Sequence, residues 1–526
     1  MSFVTDAMVV PVADSVPLPP THRSIRFRFT ASLLINVGRA GMSFVAGIVV
    51  ARALGPLDYG TMTFLIGSFT AISTLMDMGS ANAFFTFISQ RPRDRRFVVG
   101  YLAWQALQFT VVFGLVAVLL PQRWIDTLWV GHPRSLVAAA LVAFALQQQV
   151  WQTFNQIGFS LRETYVQLTG FVVVACHFAL AVLGWWLGLL DVWTVLVLVS
   201  VEYFVAITFV WVRLSHRFPD TGRRVDAAKM VREYWAYCSP IIVYCWFGFF
   251  YTFADNWMLQ RFGGGRQQGY YAVATQFSTI SMFATVSMLQ IFWKEVAEAH
   301  AKGDTLLVER LFKRVSRLLY AVAAAVAGFL IPWSSDLVRL TLGPNYAAGV
   351  PILQVMLLYP LHQTMGQVSS TMFFATAQTK VQVRIGIVSS MLTIPLSYFV
   401  LAPADGVVPG LGLGGFGSAL KLVATTIITV NAISWWFCRL HGWKFDWAYQ
   451  LQAPVAAAVA GLLSYGVGRA VIWEAPSAVF AGIAVALVCY LASVAALVWR
   501  FPDVVGITRA DLDHLFSRRN LLNRLW

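Results

Sequence analysis

Residues 32–60 read SLLINVGRAGMSFVAGIVVARALGPLDYG, an apolar helix with Arg39 near its middle, then a short polar hinge, then the start of a second apolar run. From Phe29 to Arg52 about two dozen residues are mostly apolar, and roughly 20 suffice to span a bilayer at ~1.5 Å per residue. Arg39 therefore falls near mid-depth, too far from either end to snorkel. A guanidinium there costs at least ~2.5 kcal/mol on insertion scales, so it must face the bundle interior or a water-filled cavity. Ser32, Asn36, Arg39 and Ser43 recur at helical spacing and lie on one side of this helix. The pattern is a polar stripe inside a membrane.

Composition agrees. Of 526 residues 58% are hydrophobic and 12% charged, which excludes an ordinary soluble chain. The five cysteines (Cys176, Cys238, Cys245, Cys438 and Cys489) sit in or beside apolar runs without a CxxC pair, so neither a disulfide framework nor a zinc site is expected. Residues 1–28 are polar and proline-bearing, with no short apolar core of a cleaved signal peptide.

The expected fold is all-α and polytopic. Apolar segments follow one another at about 29–52, 61–88, 97–120, 135–158, 165–189, 192–213, 235–258, 270–293, 318–341, 349–375, 382–402, 415–438, 448–470 and 478–499, about fourteen transmembrane helices. With the N-terminus inside, 29 of the 38 Lys and Arg fall on the inner side and seven on the outer, which predicts cytoplasmic termini. Most of the net charge of +14 is this bias, so no nucleic-acid partner is implied. The tail from Thr508 to Trp526 is expected to lie on the inner surface as an amphipathic helix.

A weak internal repeat organises the segments. LGPLDYGTMTFLIGSFT after the first resembles RFGGGRQQGYYAVATQFST after the seventh, aligning Gly60 with Gly269. The expected organisation is a tail (1–28), a six-helix N-lobe (29–213), an inter-lobe loop (214–234), a six-helix C-lobe (235–438), two extra helices (448–500) and a C-terminal tail (501–526).

ARALGPLDYG, DNWMLQRFGGGRQQGYYAVATQF and LGPNYAAGVPILQVM together resemble the polysaccharide-transporter branch of the multidrug/oligosaccharidyl-lipid/polysaccharide exporter superfamily, the Wzx-type flippases. The resemblance implies two lobes around a cavity of alternating access. It further implies translocation of an undecaprenyl-pyrophosphate-linked oligosaccharide across the bacterial inner membrane, for O-antigen, capsule or exopolysaccharide. Membrane lipids, a polysaccharide polymerase and chain-length machinery are the expected partners.

Such a task needs a wet cavity, cations for phosphate and neutral groups for sugar hydroxyls. Arg39 fits the cationic role, since a planar fork pairs with phosphate oxygens; a structural ion pair with Asp77 is the alternative. Lys421, with Ser418 and Thr425 on its side, is either a second cation or a snorkelling lysine. Asn36, on the Arg39 stripe, is a further substrate-binding candidate; the six amides Gln147, Gln148, Gln149, Gln152, Asn155 and Gln156, with Gln148, Gln152 and Asn155 at spacings of four and three, are expected to form a hydrated wall, and Gln363 and Gln367 repeat the idea beside His362. Interhelical hydrogen bonding is the plainer explanation of these amides.

Asp77, Glu202 and Asp255 are candidates for coupling transport to H+ or Na+, or else neutralise Arg39 or Lys421. His177 is a candidate relay or a local hydrogen-bonding group. Trp151 and Trp246 are deep enough for carbohydrate contact, whereas most other tryptophans fit an interfacial belt. No cofactor is expected, and the short loops leave no room for a catalytic domain. Two other functions compete: a cation-coupled exporter of the multidrug and toxin extrusion type, whose cavity should carry carboxylates, and a membrane polymerase or ligase.

Overall fold

The computed structural model describes residues 25–90, 95–161, 163–216, 218, 227–239, 241–376, 379–474, 479–506 and 509, so the expected N-terminal tail before Ile25 and the expected tail helix from Thr508 lie outside the described residues. All regular structure among the described residues is helical. Nine helices there are long and apolar enough to cross a bilayer, or ten if one bent pair counts as a single span. The expected fourteen segments are predominantly helical, but several are interrupted, and one helix holds two of them.

Helix α1 (Ile25–Asp77) contains both the first expected segment and most of the second. Gly55 takes φ 72° and ψ 173°, which L side chains rarely adopt, and Pro56 comes next without an N–H. These two residues turn the chain without a loop. The second expected segment breaks again at Met78 (φ 46°) and Gly79 (φ 87°), after which α2 (Ser80–Gln90) completes it. Then come α3 (Arg95–Gly114), the short α4 (Gln122–Leu128), α5 (Arg134–Phe144) and α6 (Trp151–Ser160). A π-helical turn at Ala145–Val150 joins α5 to α6. Helices α7 (Thr164–Trp186) and α8 (Val192–Leu214) complete the N-lobe, and α9 (Ala227–Cys238) leads out of it.

The C-lobe holds α10 (Ile242–Met258), α11 (Gly264–Ser278), α12 (Phe283–Ala301), α13 (Thr305–Thr341), α14 (Val350–Met356), α15 (Tyr359–Ala375), α16 (Thr379–Leu401) and α17 (Gly414–Leu440). A 3-10 turn at Thr279–Met282 separates α11 from α12, so the second segment of each lobe is broken partway. Helices α18 (Tyr449–Glu474) and α19 (Val479–Arg500) attach to α13. A side-chain carbon at Gly461 would stand 2.0 Å from Gly328 O, so only glycines allow that approach. Tyr490 OH also donates to Ala325 O at 2.7 Å.

The lobes meet along α1, which packs against both α10 and α11. There α1 crosses α11 so closely that a Cβ on Gly60 would lie 1.8 Å from Gly265 O, and one on Gly269 2.0 Å from Pro56 O. The two glycines that the repeat aligned are therefore the crossing point itself. Two clasps flank it. Arg52 Nη1 donates to Leu340 O at 2.7 Å and Tyr346 OH to Ala51 O at 2.8 Å, tying α1 to the end of α13. On the other side Trp257 Nε1 donates to Thr127 O at 2.9 Å, and Gln260 meets His132 at 3.3 Å. The offset of 209 that relates Gly60 to Gly269 also carries Ala51 to Gln260, so each lobe grips the other at equivalent positions. One apolar cluster containing Val50, Tyr59, Tyr270 and Tyr346 spans both lobes at the crossing.

Candidate functional site

Arg39 lies on the first half of α1, partly exposed. Gly170 of α7 is what makes room for it: a methyl group there would stand 3.1 Å from the Trp151 ring and 3.3 Å from Arg39 Nη1. Trp151 in turn meets Tyr203 of α8 edge-on, with ring centroids 5.8 Å apart. Four elements thus wall the guanidinium, and Tyr203 is within its electrostatic range. Among the described residues Arg39 makes no ion pair or hydrogen bond. Its five N–H donors are committed to none of them. Asn36, one turn away, is half-buried, and Ser43 is exposed.

Asp77 is not the partner of Arg39. Its carboxylate accepts from Gly79 N at 3.2 Å, Ser80 Oγ at 2.7 Å and Ala81 N at 2.8 Å, capping α2 at the break. The open N–H groups of a helix starting inside a membrane segment need such acceptors. Glu202 and His177, singled out separately in the sequence, are brought together: His177 Nδ1 lies 2.9 Å from Glu202 Oε2 between α7 and α8. Glu202 Oε1 is buried with no hydrogen-bond partner among the described residues.

The glutamine-rich helix departs from its expected geometry. In the π-helical turn at Ala145–Val150 hydrogen bonds run i→i+5, which rotates the next turns relative to a regular 3.6-residue repeat. Gln148 and Gln152 are exposed, but Asn155 is only 5% exposed, so the three do not form one wall. Gln149, in the same run of amides, donates to Ser73 Oγ at 3.2 Å. Trp151, expected as a sugar platform, is packed in the N-lobe core, whereas Trp246 is 48% exposed.

In the C-lobe Lys421 does not snorkel: its side chain is wholly buried. It pairs with Asp255, hydrogen-bonds Ser397 Oγ at 2.9 Å, and lies 5.7 Å from the centroid of the Tyr251 ring. Ser397 Oγ also donates to Asp255 at 2.8 Å. The second expected cation is thus neutralised from α10, and the third carboxylate is committed to it. His362 bonds Gln450 of α18 at 3.1 Å, and Gln450 continues to Asn431 at 2.7 Å, so this histidine ties the last helices to the lobe. Gln367 Oε1 is buried without a partner among the described residues.

Gln363 lines a C-lobe cavity of about 160 Å³. Ser389, Ser390 and Thr393 of α16, Thr425, Thr426 and Thr429 of α17, and Tyr251 supply its other polar lining. Of these hydroxyls the sequence singled out Thr425 beside Lys421; the other Ser and Thr were missed because isolated Ser and Thr are ordinary in apolar helices. The clue available was their four-residue recurrence, as in Ser389/Thr393 and Thr425/Thr429. No group of three or more metal-ligating side chains occurs among the described residues.

The arrangement offers one uncommitted guanidinium in the N-lobe, a neutral hydroxyl-lined cavity in the C-lobe, and carboxylates that are bonded internally. Such an arrangement suits a ligand that carries an anionic group and uncharged hydroxyls.

Comparison with known proteins agrees with the fold. A family model described as "Polysaccharide biosynthesis protein" matches residues 28–293. Among solved structures, the MATE multidrug transporter DinF-BH is similar with a TM-score of 0.53 at 15% identity, covering 80% of this chain and 96% of that one. The inward-facing and outward-facing forms of a multidrug resistance MATE family transporter of the MOP superfamily give TM-scores of 0.51 and 0.50, both at 12% identity. They cover 80% and 79% of this chain, and 96% and 95% of theirs. No curated protein sequence matches. The fold is that of a MATE-like, multi-pass membrane transporter, and with just over half of its length matched by the family model the chain belongs to the polysaccharide biosynthesis protein family.

Proposed function

We propose that this chain is a flippase carrying undecaprenyl-pyrophosphate-linked oligosaccharide units from the cytoplasmic to the periplasmic leaflet of a bacterial inner membrane. The excess of Lys and Arg puts the basic end in the cytoplasm, and with it both termini. The single observation that carries the reading is the uncommitted Arg39, walled by Gly170, Trp151 and Tyr203 inside the N-lobe. A charge left without an internal counter-ion at that depth is costly unless a mobile anion supplies the balance.

The rival reading, export of organic cations, needs carboxylates free to attract them. Asp77 caps a helix, Asp255 holds Lys421 and Glu202 holds His177, which favours an anionic headgroup instead. Movement is alternating access by rocking of the lobes, with the clasps at Arg52 and Trp257 parting when the periplasmic side opens. Coupling to H+ or Na+ belongs to the proposal, with the His177–Glu202 pair as the proton-exchanging element. A polymerase and chain-length machinery would receive the product, whether for O-antigen, capsule or exopolysaccharide; no covalent bond changes.

The test is surface-polysaccharide export in a strain lacking the chromosomal copy. Arg39→Ala is expected to abolish export at normal membrane levels of protein, and Arg39→Lys to restore little of it. Full export by Arg39→Ala would overturn the assignment.

A further inference from the structure

We infer that the hydroxyl-lined C-lobe cavity is a subsite for one neutral sugar of the glycan, separate from the phosphate site at Arg39; this rests on the flippase reading. None of the ten side chains lining the cavity is charged. Lys421, one turn from Thr425, is bound to Asp255. A phosphate or an acidic sugar would therefore find no counter-charge there.

The hydroxyls are also polarised in one sense. Ser390 donates its proton to Gly386 O at 2.9 Å, Thr393 to Ser389 O at 2.6 Å and Thr425 to Lys421 O at 2.8 Å. Each of these oxygens keeps lone pairs as acceptors. Ser389 and Thr429 share one hydrogen bond at 3.0 Å. Thr426, the Tyr251 hydroxyl and the Gln363 amide add donors. A wall dominated by acceptors repels anions and welcomes a ligand rich in O–H donors, which is what an uncharged sugar presents. At ~30 Å³ per water, 160 Å³ holds roughly five waters, or a single pyranose ring.

The experiment measures affinity of the purified, full-length protein in nanodiscs for two probes, undecaprenyl pyrophosphate and the same lipid bearing one neutral hexose. The native protein is expected to bind the hexose-bearing lipid on the order of tenfold more tightly. Ser390→Ala combined with Thr426→Val should bring the ratio between the two lipids to about one, and Ser390→Thr with Thr426→Ser, which keeps both hydroxyls, should restore it. Arg39→Ala should weaken both lipids by a similar factor and preserve the ratio. Equal binding of the two lipids by the native protein, or a ratio that survives Ser390→Ala with Thr426→Val, overturns the sugar subsite while leaving the phosphate site standing. Binding of neither lipid overturns the flippase reading itself, and the subsite with it.

Discussion

Replacing Asp255 should cost much more than replacing Lys421, although the two form one ion pair. Lys421 has no exposed side-chain surface, whereas Asp255 retains 19%. Removing one partner from a buried pair typically costs ~3–5 kcal/mol because the other charge is left uncompensated. Asp255→Asn falls at that end: the ammonium keeps the Ser397 hydroxyl and the Tyr251 ring face, but no counter-charge. After Lys421→Met the carboxylate still accepts from Ser397 at 2.8 Å and is not fully buried, so the cost should be nearer ~1–3 kcal/mol. A gap of ~2 kcal/mol is about 30-fold in the folding equilibrium. The double variant Asp255→Asn/Lys421→Met removes both charges and should recover most of the loss. Denaturant unfolding in one fixed detergent, followed by tryptophan fluorescence, reads all four proteins. Equal damage from the two single variants, or a double variant no more stable than Asp255→Asn, would refute the reasoning.

Other consequences can be checked alongside. Gly60→Val would press a side chain into Gly265 O, so the lobes should separate at the crossing and a cysteine placed at Ala51, now buried, should label with a membrane-impermeant thiol reagent; unchanged protection would show that the crossing is not sealed by glycine contact. Gly170→Val should displace the Arg39 guanidinium and abolish export at normal protein levels, and a fully active variant would contradict this packing. Burial holds the His132 imidazole below its ordinary value of 6.5, so the clasped state favours the neutral ring. Its contribution is complete above that value and declines as pH falls, because the released state takes up the proton more readily. Labelling at Ala51→Cys, expressed relative to the same reagent's rate with a free thiol at each pH, should therefore rise on going from about pH 7.5 to about pH 5.5 and lose that dependence in His132→Gln, and an identical normalised pH response in both proteins would rule His132 out. Asp77→Ala removes the acceptor of three hydrogen bonds at the start of α2 and should cost ~1–2 kcal/mol in the same unfolding assay; no change would mean the cap is replaced by water.

What the amino-acid order alone settled is the solvent the chain is built for and the plan of repetition. Long apolar segments admit only a helical membrane bundle, because backbone groups in lipid must bond within their own helix. The match of Gly60 to Gly269 was readable as sequence, and both fell at the lobe crossing. Arg39 could be picked out because a cation at mid-depth stands out against apolar neighbours. Which charge meets which could not be read. Glu202 lies 25 residues from His177 and Asp255 lies 166 from Lys421, and the packing of separate helices decides whether such groups touch. The same holds for the glutamine face, where one π-helical turn broke a spacing that looked regular, and for the sugar-sized cavity, whose lining comes from four helices. Local periodicity fixes what a helix is; only its neighbours fix which side of it stays wet.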